Sequence, residues 1–347
     1  MTRGFGPHVL VARLDNDGDV LLAGPAVRAV AAGARRVTFL CSPRAEAAAE
    51  LLPGVDDIVT FEAAWIAADP PALDPSDALG LMGRLSSLGL DQALILTSFH
   101  QSPLPRALLL RMARVPQLAA ISVDYPGSLL DVRHHVPEHL HEVERNLSLV
   151  ATLGHTLPAG DDGRLRVRRR PELTPAELPA GRYLVVHPGA SVPARAWTPE
   201  ANGRLVARLA ELGHQVVVTG APSERELCAG VAGAIPAVVD LCGTTGLAGL
   251  AEVLAGADAV VVGNTGPAHL AAAVGTPVVS LYAPTVPASR WRPWCVPHVL
   301  LGVQDIGCAG CRSRVCPIPD QPCIGSIEVA DVVVAVARLT QATVGAA

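Results

Sequence analysis

The chain has 347 residues, half of them hydrophobic and 17% charged, with a formal net charge of −5. That length and apolar content suit two globular cores rather than one. A negative balance with only 3% aromatic residues argues against general nucleic-acid affinity and base-stacking platforms.

The first residues, MTRGFGPHVLVARLDND, lack the charged-then-apolar pattern of a signal peptide, so a soluble, cytoplasmic chain is expected. Residues 8–14 read as a strand, followed by the turn Asp15-Asn16-Asp17-Gly18-Asp19 and a helix over 20–31. Strands are predicted over 37–41, 57–61, 92–97 and 119–123. Helices are predicted to about residue 88 after the Pro-rich loop 69–77, then over 104–113 and 137–153. Residues 125–135 read as loop.

Residues 158–181 break this alternation. They hold Pro158, Pro171, Pro175 and Pro179 with Arg164, Arg166, Arg168, Arg169 and Arg170, and read as the connection between halves. The basic run is expected to be a solvated face or edge, with acceptor-phosphate or peripheral membrane-surface contact as the lesser reading. All 27 basic residues of the chain are Arg, so any role usually given to Lys falls to Arg.

The second half restarts with strands over 183–186, 215–219, 237–241, 259–262 and 278–282 and helices near 199–212, 222–232, 246–255 and 266–274. The strands are short, apolar and β-branched, the composition of a parallel sheet covered on both faces. Residues 259–289 contain no Asp, Glu, Arg or Lys, yet Asn264, His269 and several Gly and Pro interrupt them. They read as buried strand–turn–helix–strand, not as a membrane span. A last amphipathic helix, about 327–339, is expected to return to the first half. The expected fold class is therefore α/β, with two Rossmann-like domains whose parallel sheets face a central cleft. Its domains are 1–170 and 171–326, with 327–347 as a terminal helix.

Chemistry-bearing residues gather after strands. In the first turn Asp15, Asp17 and Asp19 offer helix caps or, at the carboxyl end of a strand, a general base. The loop after 92–97 carries His100 and Gln101. In the second half, His187-Pro188-Gly189-Ala190-Ser191 precedes Arg195, and Gly220-Ala221 precedes Glu224. Gly263-Asn264-Thr265-Gly266-Pro267-Ala268-His269 opens a helix. Small residues there allow close backbone approach. Helix amides and Arg195 suit an anion, and Glu224 can accept from ribose hydroxyls. Ser289-Arg290-Trp291-Arg292 offers a further arginine. Neither Gly-x-Gly-x-x-Gly nor a P-loop occurs, which disfavours a dehydrogenase or a P-loop enzyme. Cys308-x2-Cys311-x4-Cys316-x6-Cys323 has spacing compatible with zinc or an iron–sulfur cluster, but reduced thiols or a redox-sensitive pair are the preferred reading.

These motifs, in this order along nearly the whole chain, resemble glycosyltransferase family 9, the heptosyltransferases. The similar stretches are Gly18-Asp19-Val20, His187 to Ser191 with Arg195-Ala196-Trp197, Gly220-Ala221 with Glu224, and Gly263 to Leu270. The resemblance implies a GT-B fold, with the acceptor on the first domain and the nucleotide sugar on the second. It also implies inversion at the anomeric carbon. No carboxylate pair is obviously placed to hold a divalent metal, so transfer without metal or cofactor is expected. The resemblance assigns Asp19 as general base, Arg195 to the donor diphosphate, Glu224 to the ribose, and Thr265 and Gly266 to the phosphate cradle. His187, Gly189, Ser191, Gly220, Asn264 and His269 complete the expected donor set, and Asp17, His100 and Gln101 the acceptor set. Asn264 departs from the Asp that well-known lipopolysaccharide members carry. The implied donor is an NDP-sugar, ADP-heptose-like, and the acceptor a hydroxyl of a glycan or small molecule. A non-catalytic nucleotide-sugar-binding protein of the same fold is the alternative. The oligomeric state is not legible.

Overall fold

The computed structural model describes residues 5–67 and 70–344, with side chains to residue 341. Residues 1–4, 68–69 and 345–347 lie outside the described residues, and with them part of the predicted N-terminus, the 69–77 loop and the last domain segment. The chain divides into two compact units, Met1–Arg168 and Arg169–Ala347.

Unit 1 runs β1 (His8–Ala12), α1 (Asp17–Leu22), α2 (Gly24–Gly33), β2 (Arg36–Cys41), α3 (Glu46–Leu51), β3 (Asp57–Thr60), α4 (Pro75–Ser87) and β4 (Gln92–Ile95). Then follow α5 (Leu104–Met112), β5 (Gln117–Ile121), β6 (Val132–His134) and α6 (Glu142–Ala151). Its sheet has the order β3-β2-β1-β4-β5-β6, with parallel pairings throughout. All five residues of β1 are buried, as expected for a central strand covered on both faces. Leu10, Ala12, Leu40, Ile95, Leu110 and Leu118 form the centre of one core cluster. Burying each large aliphatic side chain contributes roughly 1.5–3 kcal/mol.

Unit 2 runs β7 (Tyr183–His187), α7 (Pro199–Glu211), β8 (Gln215–Val218), α8 (Arg225–Ala232), β9 (Val238–Asp240), α9 (Leu247–Ala255) and β10 (Ala259–Gly263). It continues with α10 (Gly266–Val274), β11 (Val278–Leu281), α11 (Ala288–Trp291), β12 (His298–Leu301), α12 (Pro322–Gly325) and α13 (Val329–Val344). Its parallel sheet has the order β12-β11-β10-β7-β8-β9. Helix α7 starts where Thr198 accepts from the Ala201 amide at 3.2 Å and proline occupies the first turn. Helix α10 ends at Gly275, whose φ of 87° is the left-handed conformation that glycine adopts without a Cβ clash.

The structure departs from the sequence reading in definite places. The helix expected over 20–31 is two helices, α1 and α2, because Pro25 has no amide to continue the first ladder. The helix expected from residue 137 begins at Glu142, behind a His141 cap that accepts from Val143 while Glu144 reaches back to the His141 amide. β6 falls inside the predicted loop, and β12 was not expected. Both are short edge strands and only half-buried, so neither carries the apolar run of a central strand. The terminal helix, read as returning to the first half, places Val332, Ala335, Val336 and Leu339 in the core of unit 2, against α7 and β10–β12.

The basic run is not a bare charged face. Arg168 donates to the Val55 carbonyl at 2.8 Å within unit 1. Arg169 forms a bidentate pair with the buried Glu252 at 2.9 and 2.6 Å within unit 2. The connection between the units thus falls between neighbouring arginines, each tied to its own side.

Candidate active site

In each sheet the strand order reverses next to the first strand of its unit. The reversal lies between β1 and β4 in unit 1 and between β10 and β7 in unit 2. Ligands of open parallel sheets bind outside the carboxyl ends of strands at such a switch point. The Asp15–Asp19 turn follows β1, and the Ser98–Ser102 loop follows β4. In unit 2 the turns 187–195, 219–224 and 263–269 follow β7, β8 and β10, which lie side by side.

At the unit 1 switch point the organising group is Arg13, one residue beyond β1 and wholly buried. Its Nη2 donates to Asp19 Oδ1 at 2.7 Å and to Ser98 Oγ at 2.9 Å. Its Nη1 donates to Glu142 Oε2 at 3.2 Å. Its Nε lies 2.7 Å from Asp15 Oδ2, a close ion contact whose angle falls short of a hydrogen bond. Gln101 donates to Asp15 Oδ1 at 2.5 Å, so its amide orients a buried carboxylate. His100 is exposed, edge-on to Phe99.

Glu142 opens α6 with Arg145 Nε 3.1 Å from its other oxygen, and burial pushes its carboxyl up despite both arginines. Asp17, the first residue of α1, has one buried oxygen with no hydrogen-bond partner, and desolvation pushes it up to about 6. Asp19 keeps 19% of its side chain exposed, whereas Arg13 and Glu142 keep none. Of the three carboxylates in the turn, Asp19 is thus both cation-paired and reachable from solvent.

In unit 2, His187 ends β7 largely buried and meets Thr219 Oγ1 at 3.0 Å. Burial lowers its pKa to about 4, so the ring is neutral. Glu224 accepts from the Ala221 amide at 2.8 Å, and a Cβ at Gly189 would fall on its carboxylate. A Cβ at Gly220 would meet the buried sulfurs of Cys228 and Cys242, so glycine is required there too. A Cβ at Gly263 would lie 2.8 Å from the Arg195 carbonyl, which brings the two turns together. Arg195 itself donates from Nε to Thr285 Oγ1 at 3.0 Å and leans on the Asn264 carbonyl at 3.5 Å. Ser191 is exposed, while Arg290 is buried in α11.

The turn into α10 is where hydrogen bonding is left unmet. Asn264 Oδ1, Thr265 Oγ1 and His269 Nδ1 are buried with no partner. Asn264 Nδ2 is used on the Ala283 carbonyl at 3.3 Å. Thr265 stands at the helix N-cap without making the usual side-chain cap. Burial, with the Arg195 charge second, holds His269 near pKa 4. Three orphaned polar atoms within six residues at a helix start are the arrangement expected of a site that a polar ligand completes.

None of the eight cysteines is in a disulfide, and burial, with the Cys316, Cys308 and Cys311 thiols nearby, pushes the Cys323 thiol up. Among the described residues no group of three or more His, Cys, Asp or Glu is placed to hold a metal ion. Sequence reasoning missed Arg13, Glu142 and Arg145. The one signal was a charged residue ending the apolar stretch HVLVA.

The family model for glycosyltransferase family 9 (heptosyltransferase) matches residues 96–321. Lipopolysaccharide heptosyltransferase 1 of Pseudomonas aeruginosa is 38% identical over 181 residues, covering 51% of this chain and 48% of that protein. The chain thus spans about half the length of the curated relatives it matches. A glycosyl transferase family 9 structure from Veillonella parvula superposes with a TM-score of 0.77 at 16% identity, covering 98% of this chain and 99% of the other. The E. coli ADP-heptose lps heptosyltransferase II does so with 0.73 at 20% identity, covering 97% and 99%. These likenesses give the fold, GT-B.

Proposed function

This chain belongs to glycosyltransferase family 9, and from that premise we propose that it transfers a heptose or related sugar from an ADP-linked donor to a hydroxyl of a glycan acceptor. The observation that carries the reading is the partnerless polar cluster of Asn264, Thr265 and His269 at the start of α10, beside Arg195. Neutral donors and acceptors with one cation suit a sugar diphosphate, and helix amides favour its negative charge. Glu224, held beneath Gly189, is the acceptor for the ribose hydroxyls. His187, Ser191 and Gly220 line the same strand ends. The heptosyltransferases matched by sequence and the ADP-heptose enzyme matched by fold support ADP-heptose as donor.

In the proposed step Asp19 takes the proton of the acceptor hydroxyl as that oxygen bonds to the anomeric carbon. The bond from that carbon to the phosphate oxygen breaks from the opposite face, with inversion, and ADP leaves carrying the electron pair. Arg195 and the α10 terminus meet the charge that grows on the diphosphate, so no divalent metal is assigned a part. Asp17, His100 and Gln101 are the proposed acceptor side. The work is assigned to the cytoplasmic face of an envelope pathway, and a transient membrane-surface contact belongs to the same proposal.

Two measurements test it. ADP-heptose at 100 times its dissociation constant should stabilise the protein by about 2.7 kcal/mol, and guanosine- or uridine-linked sugars by much less. Asp19→Asn should keep that donor-induced thermal shift and lose ADP release by roughly 100-fold or more. Undiminished release from the variant removes Asp19 as base, and the absence of any donor-induced shift removes the donor assignment.

A further inference from the structure

We propose that Arg13 is a positioning residue for the reaction, holding the Asp19 carboxylate in its reactive orientation through a buried charge network; the inference rests on Asp19 being the base. The guanidinium is wholly buried and every one of its nitrogens faces an acceptor. Nη2 serves Asp19 and Ser98 at 2.7 and 2.9 Å, Nη1 serves Glu142 at 3.2 Å, and Nε faces Asp15 at 2.7 Å. Those partners come from three separate parts of unit 1. Asp15 and Asp19 lie in the turn after β1, Ser98 in the loop after β4, and Glu142 in the first turn of α6.

The backbone of Arg13 is fixed as well, because its amide continues the β1–β2 ladder to the Leu40 carbonyl at 2.9 Å. The side chain therefore starts from a rigid strand end and finishes on three elements at once. Asp19 sits on the short helix α1, which by itself does not set a carboxylate to the accuracy that proton transfer requires.

Arg13 and Arg145 are the buried cations in contact with Asp15, Asp19 and Glu142, and the buried Arg106 donates to the Leu96 carbonyl at 3.1 Å. Asp17 and Cys41 lie at the border of this network toward α3, and His100 is exposed on the β4 loop. A buried group that pairs with a lone structural carboxylate needs one good contact. Arg13 instead divides a planar fork among three carboxylates and a hydroxyl, and only one of those carboxylates opens to solvent. A lysine ammonium at this site supplies the same charge but is a single point, unable to reach Asp15, Asp19 and Glu142 together.

The test is steady-state ADP release from ADP-heptose, with a lipopolysaccharide core lacking heptose as acceptor, comparing the wild-type 347-residue chain, Arg13→Lys and Asp19→Asn. The expected result for Arg13→Lys is a fall in kcat of about tenfold or more with the KM for ADP-heptose within about twofold, since the donor site is untouched. If Arg13→Lys does not fold, Arg13→Met combined with Glu142→Gln leaves the net buried charge unchanged and is read by the same criteria. A folded variant with unchanged kcat overturns the inference, as does one whose loss lies in KM alone. Full activity in Asp19→Asn overturns the reading beneath it. An inactive Asp19→Asn beside a fully active Arg13→Lys overturns the positioning role and leaves the base assignment standing.

Discussion

Asp17 carries a stability cost whose pH dependence is set by its surroundings. One of its carboxylate oxygens is buried without a partner at the start of α1, and desolvation raises its pKa from 3.8 to about 6. Below pH 3.8 the group is protonated in both the folded and unfolded chain, so it contributes no difference. Between about 4 and 6 the unfolded chain releases its proton while the folded chain retains it, and stability falls as pH rises. Above pH 6 the loss is complete. At about 1.36 kcal/mol per pKa unit it reaches about 3 kcal/mol, or about 2 kcal/mol once the partly exposed position is allowed for.

Asp17→Asn removes the titration and keeps the shape. The expected outcome is a variant whose stability advantage over wild type grows by about 2 kcal/mol between pH 4 and pH 7 and is level beyond. Urea unfolding followed by circular dichroism across that range measures it. A difference that stays constant from pH 4 to 7 reports an altered contact and refutes desolvation as the cause. A difference of opposite slope means that a cation reaches the carboxylate.

Other expectations follow from single contacts. Gly189→Ala drives a methyl group into the Glu224 carboxylate, a mobile side-chain end. The fold should therefore survive, at about 1–2 kcal/mol for the lost Ala221–Glu224 bond, while the Kd for ADP-heptose rises about tenfold by calorimetry. An unchanged Kd argues against Glu224 as the ribose contact. His187 and His269, both lowered to about 4, stay neutral at pH 7. As pH falls from 6.5 toward 4 the unfolded histidines take up protons that the folded ones refuse, so stability declines there, and Gln at either position should flatten the decline in a pH series of melts. Alkylation of the native protein should mark Cys295 and Cys311, which are exposed, well before the buried Cys41, Cys228, Cys242 and Cys323. Mass spectrometry reads the order, and early labelling of Cys41, whose thiol burial pushes up to about 12, contradicts it.

What the sequence made legible was what local physics determines. Central strands such as 259–262 and 215–219 are continuous β-branched runs, and the Thr198-Pro199 start and Gly275 stop have few alternative meanings. The turns that hold His187, Glu224 and Thr265 were legible because small residues follow buried strands. Edge strands β6 and β12 were not, since they bury one side at most and borrow their conformation from a neighbour. Nor was the seat of α13, because an amphipathic face says that it must be covered and not by what. The Arg13–Glu142 pair joins residues 129 apart in the chain, and no periodicity encodes such a meeting.

The two switch points treat charge in opposite ways, and the contrast bears on Asn264. Unit 1 buries cations and carboxylates together, which suits a group that must remain an anion in partial shelter from water. The β10 turn of unit 2 has neutral histidines, no carboxylate between residues 259 and 289, and Arg195 alongside. A carboxylate at 264 would stand close to the proposed diphosphate, and two unit charges 4 Å apart repel by about 4 kcal/mol at an effective dielectric of 20. The amide avoids that repulsion. With Nδ2 committed to the Ala283 carbonyl, its Oδ1 remains a buried acceptor without a partner. On the proposed assignment Asn264 therefore recognises a sugar hydroxyl by acceptance alone, and Asn264→Asp should keep that bond while weakening donor affinity through charge. The penalty should shrink as pH falls and the new carboxylate protonates, whereas a pH-independent loss would point to altered packing at the turn.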